Sequence, residues 1–389
     1  MQKKKVLIVV DNLHTGGIAT SLYNLLYHTS QKVDYDLLVF NDESIEKDNI
    51  PNNVRILTPQ KMLMVLGMSQ GEIKNRSLPL YVIRMILVAI SRLLSGEAAR
   101  NMLFLAIREL KNYDIAISYA QDNAWKSLSK GCNDFVIKKV NAKKKVAYIH
   151  CDYSNYGGYH PKQGHCLRQF DNIACVSRSC SDSFISKFPD LKDKTITCEN
   201  FTNVDLINIK RKEYSVEYKE RSVNFVTVCR ISTVKGLDRA LRAFTEAKKR
   251  GLSNFTWTIV GEGPERCSLQ EQVNKAELNN VIRLVGNKDN PYPYIAGATV
   301  FLLPSLHEAA PMVFGEAAAL NIPVLTTNTC SAKELVEEKK LGIVMDNNEE
   351  SITNNIIGVI EGNIRLFINE IQDINRNAYM QFNKMIGPE

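Results

Sequence analysis

Several features that would mark other classes of protein are missing from this sequence. The nine cysteines, at 132, 151, 166, 175, 180, 198, 229, 267 and 330, are odd in number and scattered. They include no Cys-x-x-Cys pair, which argues against a structural zinc site or a dithiol redox centre and reads as reduced core residues in a cytosolic protein. There is no long uninterrupted apolar run of the kind that spans a bilayer. LPLYVIRMILVAISRLL, 78–94, is 17 residues long but carries Arg84 and Arg92, at the lower edge for a span. The start, MQKKKVLIVVDN, has a basic flank but only five apolar residues before Asp11, too few for the apolar core of a signal peptide, and is expected to be a first strand. Short-period repeats and low-complexity tracts are missing too, which sets aside solenoids and disordered tails. The only Asp-x-Asp, Asp34-Tyr35-Asp36, opens a predicted strand rather than following one, so it reads as turn chemistry and not as a metal ligand.

What is present describes a globular chain. With 389 residues and 44% hydrophobic content, it is too long for one ordinary core, and two domains of roughly 190 residues are expected. The net charge of +7 is confined to the first half: residues 1–205 hold 27 Lys and Arg against 20 Asp and Glu, and residues 206–389 hold 22 of each. Residues 61–112 alone hold 8 basic and 3 acidic side chains, a balance suited to a phosphate-rich or anionic-lipid partner.

Short runs rich in Val, Ile and Thr alternate with helical patterns along the whole chain. KVLIVV, YDLLVF, VRIL, YDIAISY, KVAYIH and NIACVS occupy the first half; VNFVTVC, FTWTIV, NVIRLV, TVFLLP, IPVLTT and LGIVM occupy the second. Strands alternating with helices imply parallel, doubly wound sheets. The fold expectation is therefore α/β, with two Rossmann-like domains facing each other across a cleft. A first domain is expected over 1–200 with a helical insertion at 61–112, and a second over 201–365. A terminal helix in 366–389 is expected to pack back toward the first domain. The break falls near CENFTNVDLINIKRKEY, 198–214. The insertion reads either as a pair of core helices or as an amphipathic surface on which Arg84, Arg92, Arg100 and Arg108 reach membrane phosphates.

The stretch HEAAPMVFGE, 307–316, follows the apolar run TVFLLPS and carries Glu308 and Glu316 with Pro311 between them. Pro311 suits the first turn of a helix, PMVFGEAAAL. Glu308 then lies at the carboxyl end of a parallel strand, where open α/β sheets bind ligands. Free amides near Met312 and Val313 form an anion site. Since a carboxylate beside a phosphate is repelled, the two glutamates are expected to accept hydrogen bonds from hydroxyls, and a ligand with hydroxyls on both sides of a phosphate group is a nucleotide sugar. Arg230 and Lys235, in VTVCRISTVKGLDRAL, point to the same rim and can neutralise a diphosphate without a metal. Gly261 and Gly263 in TIVGEGPE, and Gly16 and Gly17 in DNLHTGGIATSLYNLL, let backbone approach phosphate.

Taken in order, the Gly-Gly loop, KVAYIHCDY, CRISTVKG, VGEGPE, NPYPYI and HEAAPMVFGEAAALNIPV resemble glycosyltransferase family 4, retaining enzymes of the GT-B fold, over nearly the whole chain. The resemblance implies transfer of a sugar from an activated nucleotide donor with the anomeric configuration kept and no metal or other cofactor. By position, Glu316 is similar to the ribose-binding glutamate and Glu308 to the one that contacts donor-sugar hydroxyls. Arg230 and Lys235 resemble the diphosphate pair, Gly17 the amino-terminal phosphate contact and His150 the active-site histidine. NPYPYI resembles members that use UDP-sugars in bacterial surface polysaccharide synthesis. Ala309-Ala310-Pro311 departs from the usual Gly-Phe-Pro, and Gly315 lowers helix propensity before Glu316.

The implied partners are a nucleotide-sugar donor and a glycan or lipid-diphosphate-linked acceptor contacted by Tyr119 and Asp152, with peripheral contact to an anionic membrane from the cytoplasmic side and no nucleic acid. An epimerase of the same fold and a catalytically silent transferase partner are the alternatives.

Overall fold

The strands are near-continuous apolar runs because both faces of each sheet are covered by helices. Val6 to Val10 are all fully buried. In the computed structural model, which describes residues 3–121, 124–155, 157, 159–369 and 373–387, the chain divides into two units. One comprises residues 1–201 with 375–389, and the other 202–374.

The first unit is built on a seven-stranded sheet. Its strands are β1 (Lys4–Val10), β2 (Val33–Val39), β3 (Arg55–Leu57), β4 (Leu110–Ser118), β5 (Val140–Ile149), β6 (Asn172–Cys175) and β7 (Thr195–Thr197). They lie in the order β3-β2-β1-β4-β5-β6-β7, and every pairing is parallel, with Val6 opposite Tyr35 on one side and Ile115 on the other. The strand order reverses between β1 and β4, where a doubly wound sheet opens its ligand crevice. Asp34 and Asp36 lie inside β2, which corrects their reading as turn residues. Asp36 is buried and accepts hydrogen bonds from Arg55 and Tyr113, so it is a structural carboxylate. The terminal helix Arg376–Ile386 belongs to this unit. Lys4 and Lys144 donate to its last carbonyls, at Ile386 and Met385, and Tyr379 bonds His28.

The second unit has a six-stranded sheet: β8 (Val223–Val228), β9 (Phe255–Val260), β10 (Ile282–Gly286), β11 (Val300–Leu303), β12 (Val324–Thr327) and β13 (Gly342–Met345), in the order β10-β9-β8-β11-β12-β13. All pairings are again parallel, and the order reverses between β8 and β11. Two doubly wound parallel sheets are what the alternating sequence pattern required. The buried Thr227 hydroxyl bridges these two central strands, donating to the Leu302 carbonyl and accepting from Trp257 Nε1.

The insertion breaks into several helices, the longest being Leu78–Leu93 and Gly96–Phe104. Because the chain turns at 94–95, Arg84, Arg92, Arg100 and Arg108 do not share one helical face. Arg84 and Arg100 are buried. Arg84 donates to the Val65 carbonyl and Ser129 Oγ, and Arg100 to Asp134 and the Ser127 carbonyl. For these two arginines the reading of the insertion as core holds and the alternative, contact with phosphates, is corrected: both hold the insertion to the body of the unit. Among the described residues no helix is long and apolar enough to cross a membrane.

Candidate functional site

In the second unit the candidate residues gather at the β8/β11 switch point. Beyond β8 the chain makes a 3-10 turn at Thr233–Lys235 and, through the left-handed Gly236, enters the helix Leu237–Lys249. Beyond β11 it runs through Ser305 and Glu308 to Pro311, which caps the helix Met312–Ala319 one residue ahead of its first turn. The two loops are joined by backbone, Leu306 N–H donating to the Val234 carbonyl at 2.8 Å. They are braced by Arg239, buried, whose guanidinium donates to the Pro304 carbonyl at 2.6 Å and to Asn347 Oδ1 at 2.7 Å.

That frame brings Lys235 and Glu308 together. Lys235 Nζ lies 2.5 Å from Glu308 Oε1, which also accepts from Ser305 Oγ at 2.6 Å. Oε2 of Glu308 makes no hydrogen bond among the described residues, so one carboxylate oxygen is fixed and the other is available to a hydroxyl. Arg230 is exposed and has no ion-pair partner among the described residues.

Glu316, on the helix that follows, is only 8% exposed. Its carboxylate has no hydrogen-bond or ion-pair partner among the described residues, and burial pushes its pKa up from 4.5 to about 7. A buried acid left unpaired is costly, and such groups concentrate at ligand sites. The amides of Met312 and Val313 likewise have no acceptor among the described residues, as expected of the first turn of a helix.

Two glycines here answer to packing. A Cβ on Gly261, whose φ is +143°, would stand 1.9 Å from the Cys229 carbonyl oxygen. The approach Gly261 permits is thus to the end of β8, which sets the path of the Arg230 loop. A Cβ on Gly315 would meet Thr202 Oγ1 at 2.3 Å, which accounts for a glycine in mid-helix.

In the first unit His150 follows β5. Its backbone N–H donates to Gln121 Oε1 at 2.8 Å, and its Nε2 lies 2.9 Å from the Tyr119 carbonyl. A carbonyl only accepts, so Nε2 carries the proton and Nδ1 is left as an acceptor. Burial, with the nearby Lys130 charge adding to it, lowers its pKa to about 4, so the ring is neutral at physiological pH.

Tyr119 is 1% exposed, its hydroxyl bonded to Ser21 Oγ and its ring against His150. This corrects its expected contact with an acceptor, since it supports the histidine from beneath. Asp152 is committed to its own turn and to Ser183 of the helix Arg178–Lys187. Oδ1 accepts from Ser154 N–H and Ser183 Oγ, and Oδ2 accepts from Asn155. Gly16 and Gly17 open the helix Gly17–Thr29 after β1, and a Cβ on Gly17 would meet nothing within 4 Å.

Sequence reading missed Ser305, Arg239, Asp11 and Lys130. Asp11 follows β1, and burial raises its carboxyl pKa while Lys130 pulls it down. Lys130 adopts a left-handed φ of 71°, uncommon outside glycine and asparagine. The Lys130-Gly131 pair before a helix was the one sequence signal for that turn. Among the described residues no cluster of His, Cys, Asp or Glu is arranged to hold a metal ion.

Comparison with known proteins identifies the fold. The chain has the two-unit GT-B architecture of structurally characterised glycosyltransferases. It superimposes on TarM with a TM-score of 0.65 at 11% identity, covering 100% of this chain and 99% of that one. On Anabaena HepE in complex with UDP-glucose the TM-score is 0.62 at 15% identity, covering 98% and 95%.

The family model for glycosyl transferases group 1 matches residues 209–381. A 148-residue segment is 30% identical to an uncharacterized glycosyltransferase, MJ1059, of Methanocaldococcus jannaschii, covering 37% of this chain and 36% of that protein. Another of 143 residues is 32% identical to the putative colanic acid biosynthesis glycosyltransferase WcaL of Salmonella typhimurium, covering 35% of each. These matches span little more than a third of the relatives' length.

Proposed function

We propose that this chain is a retaining glycosyltransferase of family 4. It moves a hexosyl or N-acetylhexosaminyl group from a UDP-sugar to a glycan or lipid-linked acceptor in cytoplasmic steps of polysaccharide synthesis. The observation that carries the reading is Glu316, a buried carboxylate raised to about 7 with no partner among the described residues, beside the open amides of Met312 and Val313 at the β8/β11 switch point. Ribose hydroxyls donating to Glu316 would satisfy the acid, and the amides and Lys235 would meet the diphosphate. The UDP-bound state of HepE, and the likeness to the putative colanic acid biosynthesis glycosyltransferase WcaL and to the amylovoran biosynthesis glycosyltransferase AmsK of Erwinia amylovora, support the same reading.

In this mechanism the bond between the anomeric carbon and the diphosphate oxygen breaks as negative charge builds on that oxygen. Lys235, Arg230 and the helix amides stabilise the charge. The acceptor hydroxyl forms the new bond from the face the diphosphate leaves, and its proton passes to the departing phosphate oxygen, so the configuration is kept. Glu308, anchored through Oε1 by Lys235 and Ser305, presents Oε2 to a hydroxyl of the donor sugar. His150, neutral and with Nδ1 open, is proposed as the active-site histidine. In this mechanism the cationic side chains supply the counter-charge in place of a metal.

The test is a thermal-shift and turnover screen over UDP-glucose, UDP-galactose, UDP-N-acetylglucosamine and GDP-mannose. A shift and UDP release with at least one UDP-sugar, and none with GDP-mannose, is expected. Preference for the guanine donor, or no shift with any, overturns the proposal.

A further inference from the structure

The helix Leu78–Leu93 is amphipathic in the wrong sense for a soluble surface. A surface helix ordinarily turns its apolar stripe inward. Here the inward face carries Arg84, Leu87 and Ser91, all buried, whereas Leu78, Val82, Met85, Ile86 and Leu93 are exposed, from 42% to 80%. At 100° per residue these five and the exposed Ala89 fall within an arc about 100° wide, with no charged residue inside it. Past the turn, Met102 and Leu105 are also exposed, Leu105 by 87%.

The polar groups that make the inward face tolerable are accounted for. Arg84 is held by the Val65 carbonyl and Ser129, and Ser91 by the Val88 carbonyl. The outward face therefore does not result from a helix turned the wrong way round. It is a fixed apolar surface, and large exposed apolar patches mark interaction sites.

We propose that this face docks on an anionic lipid surface, lying in the interface rather than crossing it. Two observations select lipid over a protein partner. The stripe is aliphatic, with no Trp, Tyr, Phe or Arg within it, whereas protein interfaces are anchored by those residues. The charge of the insertion is predominantly basic: residues 61–112 hold 8 basic and 3 acidic side chains, 78–94 contain no Asp or Glu, and Lys61, Lys74, Arg92 and Arg108 are exposed with no ion-pair partner among the described residues. Aliphatic side chains on an insertion that also carries unpaired cations suit the boundary between acyl chains and acidic headgroups. The contact does not depend on which sugar is transferred, or on whether any is.

The experiment is sedimentation of the full chain with vesicles of phosphatidylcholine alone and of phosphatidylcholine with phosphatidylglycerol, with sedimentation velocity of the protein by itself. The wild type is expected to bind the anionic vesicles and to weaken as salt is raised. Lys74→Glu/Arg92→Glu should lower that affinity at least about twenty-five-fold, about fivefold or more for each cation lost. Ile86→Glu/Leu93→Glu should abolish binding to both kinds of vesicle. Both pairs lie on exposed positions, so their thermal unfolding should match the wild type. Failure of the wild type to bind anionic vesicles overturns the proposal. So does a wild-type dimer in solution that Ile86→Glu/Leu93→Glu dissociates, which would assign the face to a second copy.

Discussion

Replacing Glu316 by glutamine should move stability and ligand binding in opposite directions. The carboxyl pKa is raised by burial from 4.5 to about 7, which corresponds to about 3 kcal/mol of penalty on the charged form. The sign follows from linkage. A folded acid with a raised pKa favours the folded state below pH 4.5, and that advantage is lost as pH rises through 7, so at pH 8 the ionised group destabilises the second unit. Glutamine keeps the shape without the charge. It should therefore raise the unfolding free energy of the unit at pH 8 by up to about 3 kcal/mol, and by little at pH 4.5.

Binding should suffer instead. Hydroxyls donating to a carboxylate form charge-assisted bonds, so UDP affinity should fall by about 1.5–3 kcal/mol in Glu316→Gln or Glu316→Ala. The wild-type affinity should also strengthen between pH 6 and 8 more than that of the glutamine variant. Urea denaturation read by tryptophan fluorescence, with calorimetry of UDP binding at both pH values, provides the measurements. A Glu316→Gln variant that is less stable at pH 8, or that binds UDP as well as the wild type, would refute the reasoning.

His150, its pKa lowered to about 4 by burial, binds fewer protons folded than unfolded between pH 6.5 and 4. It should therefore cost about 2 kcal/mol of stability on going from pH 6.5 to 5, and His150→Asn should lose that part of the acid sensitivity while lowering kcat and leaving UDP affinity nearly intact. Lys235→Ala should weaken UDP binding and release Glu308. A Lys235→Ala/Glu308→Ala pair whose effects on UDP affinity simply add would deny the coupling implied by their 2.5 Å contact. Gly315→Ala should destabilise the second unit by about 1–3 kcal/mol through the clash with Thr202, and Thr202→Ala should restore part of it; an unchanged melting temperature would contradict the packing. Turnover should survive excess EDTA, and an EDTA loss restored by a divalent ion would overturn the charge assignment to Arg230 and Lys235.

Much of the fold was legible because its signal is local. Buried parallel strands such as VLIVV and VFLL are apolar on both faces, and the glycines and prolines that end them stand beside them in sequence. The placement of Arg230, Lys235 and Glu308 in the loops beyond strand ends, and of Glu316 on the helix that follows, came from the same local pattern. What it could not supply was distance between loops. Lys235 and Glu308 are 73 residues apart, and their pairing depends on Gly236, Arg239 and a backbone bond from Leu306 that no short window contains.

Burial also reversed local expectation. Of the two readings of the insertion, the one that made Arg84 and Arg100 surface cations fails, because buried carbonyls and Asp134 satisfy them. The inverted face of Leu78–Leu93 followed from that. Tyr119 was misplaced for the same reason, since a strand-end tyrosine looks the same in sequence whether its hydroxyl meets a ligand or Ser21.

The central claim is transfer from a UDP-sugar with retention, and proton NMR of the product tests it most directly. The protein would be incubated with the UDP-sugar that passes the thermal-shift screen and an acceptor fraction from a polysaccharide-producing cell, and the new anomeric signal followed as UDP appears. An α-linked product from the α-linked donor, formed by the wild type and lost in Lys235→Ala, is the predicted result; a β-linked product would contradict retention, and binding of UDP without any transfer would contradict the enzyme.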